Sequence, residues 1–174
     1  MKTCSFFGHR NTQETPELKK RLKELLLVLI EKEGVTTFLF GSASRFDDLC
    51  LKMVSEIKKE GFDVKRVYVR SQHRELSVDY KKYLLTTYDD TVMPCGVEKA
   101  GRAAYVERNQ EMINASDYCV FYYNPQYMPP KRKQSKCDLV EYQPQSGTHL
   151  AFEYASGKVK KGELKNIFNL YGEN

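Results

Sequence analysis

The chain reads as an α/β fold, a parallel sheet of about five strands with helices on both faces. Three observations predict it. Apolar runs of strand length alternate with amphipathic segments of helical period along the chain. The central runs at 3–7, 35–40 and 118–123 are nearly unbroken in apolar residues, as in strands covered on both sides. The first two of them stop at a glycine-bearing turn that leads into a helix, which suits right-handed strand–helix–strand crossovers.

The elements follow in order. After the strand at 3–7 comes Gly8-His9-Arg10. Thr15 then caps a helix with Pro16 in its first turn, and Leu22, Leu25, Leu26 and Leu29 fall at core spacing before a stop at Gly34. The strand at 35–40 closes on Gly41, Ser42, Ala43 and Ser44. A second helix carries Leu49, Cys50, Met53, Val54 and Ile57 on one face and ends near Gly61; Ser44 with Asp47 reads as its capping box. Residues 63–69 are a third strand, 80–88 a short helix and 91–94 a short strand. Next comes a helix in which Ala104, Tyr105, Val106, Met112 and Ile113 form one apolar stripe, with Arg108 and Asn109 inside it. Glu107, Gln110, Glu111 and Asn114 fall on the opposite face. The strand at 118–123 follows, then a polar excursion at 124–144 that reads as a loop or flap. Gln145-Ser146-Gly147-Thr148 opens a helix to Gly157, and a last strand lies near 166–170. Residues 1–174 are expected to form one domain.

Composition narrows the function classes. At 41% hydrophobic and 29% charged residues, the chain belongs with globular domains. Its net charge of +5 is mild, and much of the excess lies at Lys131-Arg132-Lys133 and around Lys158, Lys160 and Lys161. Such runs read as solvated surface, so nucleic-acid contact is not expected. No window of about 18 apolar residues suggests a membrane span. There is no signal-peptide pattern, and Cys4, Cys50 and Cys119 lie in apolar runs as buried thiols, so a cytoplasmic location is expected. The histidines His9, His73 and His149 stand apart, with no metal-ligand spacing, and no metal or cofactor is expected.

Three expected turns at strand ends or helix starts share one chemistry: Gly8-His9-Arg10, Gly41-Ser42-Ala43-Ser44 and Ser146-Gly147-Thr148. Glycine permits close backbone approach, and a helix N-terminus offers free N–H groups and partial positive charge. Phosphate is the natural guest. Arg108 sharpens the reading, because a guanidinium inside an apolar stripe must meet something negative. Either an anionic ligand supplies that charge, or Asp47 or Asp117 does in a buried ion pair. Arg10 either clamps phosphate or caps a helix carboxyl end. Asn109 reads a base or ribose, or ties down strand-end backbone. Asp47 suits a ribose hydroxyl better than a phosphate. Tyr122, Tyr123 and Tyr127 either stack on a base or serve packing and loop anchoring.

These motifs, in this order, resemble the SLOG superfamily: Gly8-His9-Arg10, Gly41-x-Ala43 with Asp47, Glu107-Arg108-Asn109 ahead of Ser116-Asp117, and Ser146-Gly147-Thr148. That Rossmann-like group includes LOG phosphoribohydrolases, DprA and the small YpsA-like proteins, which are the closest in size and motif order. The resemblance runs from Cys4 to about Gly157. It implies a Rossmann-like sheet that binds a nucleotide or nucleotide-derived ligand. Two departures matter. LOG enzymes carry a catalytic Glu in Gly-Thr-x-x-Glu, whereas here Gly147-Thr148 is followed by His149, Leu150 and Ala151. Glu153 is two positions on, turned by about 200°; it lies with His149 on the polar face of the helix, opposite Leu150, Ala151 and Tyr154, and reads as solvated surface. The other departure is Arg45, where the group has glycine.

The expectation is therefore a non-catalytic sensor or adaptor that holds a nucleotide by its phosphate at the strand ends. The alternatives are a nucleotide N-glycosidase, with Asp47 as its best-placed acid, and a single-stranded nucleic-acid binding module. Homo-oligomerisation is compatible with the fold group.

Overall fold

A computed structural model describes residues 1–41, 44–72, 75–100, 103–129 and 145–172. The chain runs β1 (Lys2–Gly8), α1 (Pro16–Glu31), β2 (Val35–Phe40), α2 (Arg45–Lys59), β3 (Lys65–Val69), α3 (Val78–Leu85), β4 (Asp90–Val92), a 3-10 turn (Cys95–Lys99), α4 (Ala104–Asn114), β5 (Tyr118–Tyr122), α5 (Gly147–Lys160) and β6 (Asn166–Asn169). All six strands are parallel, in the order β4-β3-β2-β1-β5-β6. The fold is Rossmann-like. From β1 the chain builds outward through β2, β3 and β4, then returns to β1's other side with β5 and β6. The reversal makes a crevice beyond the carboxyl ends of β1 and its neighbours.

Alternation along the strands sorts the core into two layers. Cys4 and Phe6 of β1, Phe38 and Phe40 of β2, and Tyr118 and Val120 of β5 face α1 and α2, meeting Leu22, Leu26, Leu29, Leu49 and Ile57. Phe6 stacks on Phe38 and Phe40 at 5.8 and 5.2 Å. Phe7, Leu39, Cys119 and Phe121 point the other way, with Met112 and Ile113 of α4 and Ala151 and Ala155 of α5. Ser5 lies in this second layer, where Ser116 Oγ donates to its hydroxyl at 3.0 Å and Cys119 Sγ lies 3.4 Å away. Burial pushes the Cys119 thiol up to about 12, so it is neutral at any ordinary pH.

Helices α1, α2, α3 and α5 start at capping side chains, while α4 starts after Ala103 without one. Thr15 Oγ1 accepts the Leu18 N–H, Ser44 Oγ that of Asp47, Ser77 Oγ that of Tyr80, and Ser146 Oγ that of His149. Among the described residues no helix is long and apolar enough to cross a membrane. Most of the excursion expected at 124–144, from 130 onward, lies outside the described residues.

At the sheet's β4 edge, Asp89 ties three elements together. It accepts Arg66 Nε at 3.1 Å, Arg66 Nη2 at 3.0 Å and the Arg66 backbone N–H at 2.8 Å, and Lys58 Nζ of α2 lies 2.9 Å away. Burial alone would raise its pKa. The hydrogen bonds from Arg66 and Lys58 outweigh that and hold the carboxyl well below the usual range. A depressed folded-state pKa gives stability that is complete above the unfolded value of about 3.9 and is lost as pH falls toward the folded one. Denaturation followed from pH 7 to pH 2 is expected to show stability falling from about pH 4 downward. Asp89→Asn is expected to be less stable at neutral pH, with a shallower acid limb; an equally steep limb in the variant would refute the assignment.

Candidate functional site

A cleft of about 590 Å³ opens at the strand ends, and the residues singled out from the sequence converge on it. The end of β1 supplies Gly8, His9 and Arg10; the end of β2 and the start of α2 supply Gly41, Ser44 and Asp47. Helix α4 contributes Arg108 and Asn109, and the start of α5 contributes Ser146, Gly147 and Thr148. Ser42 and Ala43 lie outside the described residues.

Arg108 is the anchor of the arrangement. It is 5% exposed although it is a charged side chain. Its Nη1 donates to the Gly41 carbonyl at 2.5 Å, and Nε and Nη2 both donate to Asn109 Oδ1, at 3.3 and 2.9 Å. The guanidinium carbon lies 5.4 Å from the centre of the Tyr105 ring. Among the described residues no carboxylate stands within ion-pair distance of it. Burial lowers the guanidinium's pKa, and Asp47 opposes that shift from longer range. Asp117, the other acid considered, is turned away: its Oδ2 accepts the Thr3 N–H at 2.9 Å and its Oδ1 lies 3.8 Å from Lys165 Nζ. A guanidinium has more N–H donors than these three bonds use, and it remains charged at any physiological pH.

The glycines at the first two turns serve side chains. A methyl group on Gly41 would lie 2.7 Å from Arg108 Cζ and 2.8 Å from Nη2. A methyl group on Gly8 would lie 2.7 Å from two ring carbons of Phe46, a fully buried residue of α2. Gly147 differs, since no described residue lies within 4 Å of a methyl group there. Ser44 and Ser146 act as helix caps. The first N–H groups of a helix have no intrahelical acceptor. In α5 Ser146 takes that of His149, which leaves those of Gly147 and Thr148 at the cleft wall.

His9 is 4% exposed. Its Nε2 accepts the Asn124 N–H at 3.0 Å, and its ring stacks on Tyr127 with centroids 4.0 Å apart. Accepting that N–H places the ring proton on Nδ1, which is buried and has no hydrogen-bond partner among the described residues. Burial pushes the imidazole pKa down, so His9 is neutral near pH 7. Arg10 is exposed on the cleft rim, and its carbonyl accepts the Arg45 N–H at 3.3 Å. Asp47 is 5% exposed and lines the same wall. Glu153 is solvated, as the helix phase predicts.

One expectation needs correction. Tyr105 does not belong to a buried stripe: it is 49% exposed and lines the cleft, because α4 turns that edge toward the opening. Its spacing of three residues from Arg108 was the available signal, since side chains at i and i+3 are neighbours on a helix. His149 shares the polar face of α5 with Glu153, as expected, and is partly buried there. Its Nδ1 shares a hydrogen bond of 2.7 Å with Tyr123 Oη, and its Nε2 lies 3.4 Å from Glu153 Oε2.

The glycine geometry generates a contrast. Gly41→Ala is expected to destabilise the fold by about 1–3 kcal/mol, through displaced Arg108 packing. Gly147→Ala is expected to leave stability within about 1 kcal/mol, because the added methyl group meets open space. Urea denaturation of the two variants checks both; equal losses would show that Gly41 is not shaped by Arg108.

No protein-family model and no curated protein matches the chain. Among solved structures it is similar to DNA processing protein A (DprA) from Streptococcus pneumoniae, with a TM-score of 0.58 and 12% sequence identity. The match covers 97% of this chain and 50% of that one, so this chain spans about half the length of that protein. At such identity the likeness is one of fold, a Rossmann-like core shared with part of that protein.

Proposed function

We infer that the chain binds a nucleotide or nucleotide-derived ligand by its phosphate in the strand-end cleft, as a non-catalytic sensor or adaptor. The observation that carries this reading is Arg108, a buried cation at the cleft with no carboxylate in ion-pair contact among the described residues. A phosphate there gains charge-assisted hydrogen bonds from a guanidinium already held in place. The N-terminus of α5, where Gly147 and Thr148 line the cleft, adds partial positive charge and N–H groups that have no intrahelical acceptor. Arg10 supplies a second cation at the rim. Asp47 suits a ribose hydroxyl, since a carboxylate accepts and repels phosphate. Asn109 supports the reading indirectly, by orienting Arg108.

Two other readings rest on particular observations. Asp47 is buried in the same cleft, which suits an N-glycosidase that stabilises an oxocarbenium-like state with a carboxylate. The likeness in fold to a DNA processing protein leaves the expectation against nucleic acid without support and keeps a nucleic-acid binding module as a reading.

Thermal unfolding against a panel of nucleotides, cyclic nucleotides and ADP-ribose derivatives tests the first reading. At about a hundredfold excess over Kd, a bound ligand adds about 2.7 kcal/mol, or roughly 5–10 °C for a domain of this size. Arg108→Met keeps most of the volume, removes the buried charge and leaves the Gly41 carbonyl without its donor; it is expected to fold with a loss of about 1–3 kcal/mol and to lose that shift. No shift with any compound, or an equal shift in the variant, refutes the reading. Release of free base, abolished by Asp47→Asn, promotes the hydrolase instead; salt-sensitive retention of single-stranded DNA promotes the nucleic-acid module.

A further inference from the structure

Tyr105 is an exposed aromatic ring at the mouth of a charged cleft, and its orientation is fixed. Gln72 Nε2 donates to its hydroxyl at 3.0 Å, while the Arg108 guanidinium lies over its ring at 5.4 Å. Half of the residue's surface nonetheless stays open, at 49% exposure. The other aromatic residues at this end are committed. Phe6 and Phe7 are buried in the sheet, at 2% and 5% exposure. Tyr127 is stacked on His9, and Tyr123 is stacked on Phe152 at 4.5 Å and bonded to His149. A large apolar ring left open beside a cation is poorly placed for packing but well placed for recognition. It offers a flat face at little entropic cost, because two contacts already hold it.

We propose that Tyr105 is the stacking platform for the aromatic base of the cleft's ligand, and so selects nucleotides over other phosphate esters. This rests on the phosphate-binding reading above and adds its second half. The anionic group engages Arg108 and the N-terminus of α5. The base lies on the Tyr105 ring beside the guanidinium, so one small molecule touches both. Stacking requires a π face and no particular hydrogen-bond pattern, so the platform accepts any of the common bases and rejects a sugar phosphate.

The test compares two classes of ligand on three proteins. Titration calorimetry measures the adenosine, guanosine, cytidine and uridine monophosphates and ribose 5-phosphate against the wild type, Tyr105→Ala and Tyr105→Phe. The wild type is expected to bind nucleoside monophosphates more tightly than ribose 5-phosphate. Tyr105→Ala is expected to weaken the nucleotides about tenfold or more and leave ribose 5-phosphate within about twofold. Tyr105→Phe, which keeps the ring and loses only the Gln72 bond, is expected to restore nucleotide affinity to within about threefold. Nucleotide binding that survives Tyr105→Ala overturns the platform and leaves the phosphate reading standing. An equal loss for both ligand classes also overturns it, since that reports a disturbed Arg108. A wild-type protein that binds none of these compounds overturns the platform, and with no thermal shift from the wider panel it overturns the phosphate reading as well.

Discussion

The hydrogen bond from Arg108 to the carbonyl of Gly41 is the constraint around which this end of the molecule is organised. Burying an ion costs several kcal/mol after relaxation, and a hydrogen bond to a charged group returns about 1.5–3. The Gly41 carbonyl, the Asn109 amide and the Tyr105 ring together offset that cost without neutralising the charge. Asp47 moderates the field from a distance and leaves the guanidinium's charge within the cleft. The result is a pre-oriented cation at the switch point of a parallel sheet, where such folds bind their ligands.

Around that cation the cleft divides its labour between backbone and side chains. On the α5 side the wall is backbone, with Ser146 serving the helix rather than a guest. Between β1 and β2 two glycines line it and make room for side chains, Gly8 for the core residue Phe46 and Gly41 for Arg108, which itself faces the cleft. His9 completes the floor as a neutral ring, held by the Asn124 N–H and covered by Tyr127. That pair also anchors the segment leaving β5, so the floor of the cleft and the start of the excursion share one contact.

Much of the architecture was legible in the sequence because buried strands and capped helices leave strong periodic signals. Thr15 with Pro16, and Ser44 with Asp47, marked helix starts that the structure places at those residues. The unbroken run at 35–40 marked a strand covered on both faces, and β2 occupies those residues. Convergence of the turns followed from topology, since parallel strands carry all their carboxyl ends to one side. What periodicity could not reveal was which edge of α4 meets the opening. A tyrosine at a cleft mouth and one in a core have the same hydropathy, so Tyr105 was placed with Met112 and Ile113. The purpose of Gly41 was hidden for a related reason: its occupant, Arg108, is 67 residues away in the chain and adjacent only after folding.

The close fit of Gly41 against Arg108 makes positions 41 and 108 thermodynamically coupled rather than independent. Their free energies of substitution should not sum, because a smaller residue at 108 vacates the volume that any side chain at 41 must enter. Drift in a chain with this geometry is therefore channelled: a side chain becomes tolerable at 41 once the guanidinium has gone. The ancestral pair is then hard to regain, since the first step back recreates the steric conflict.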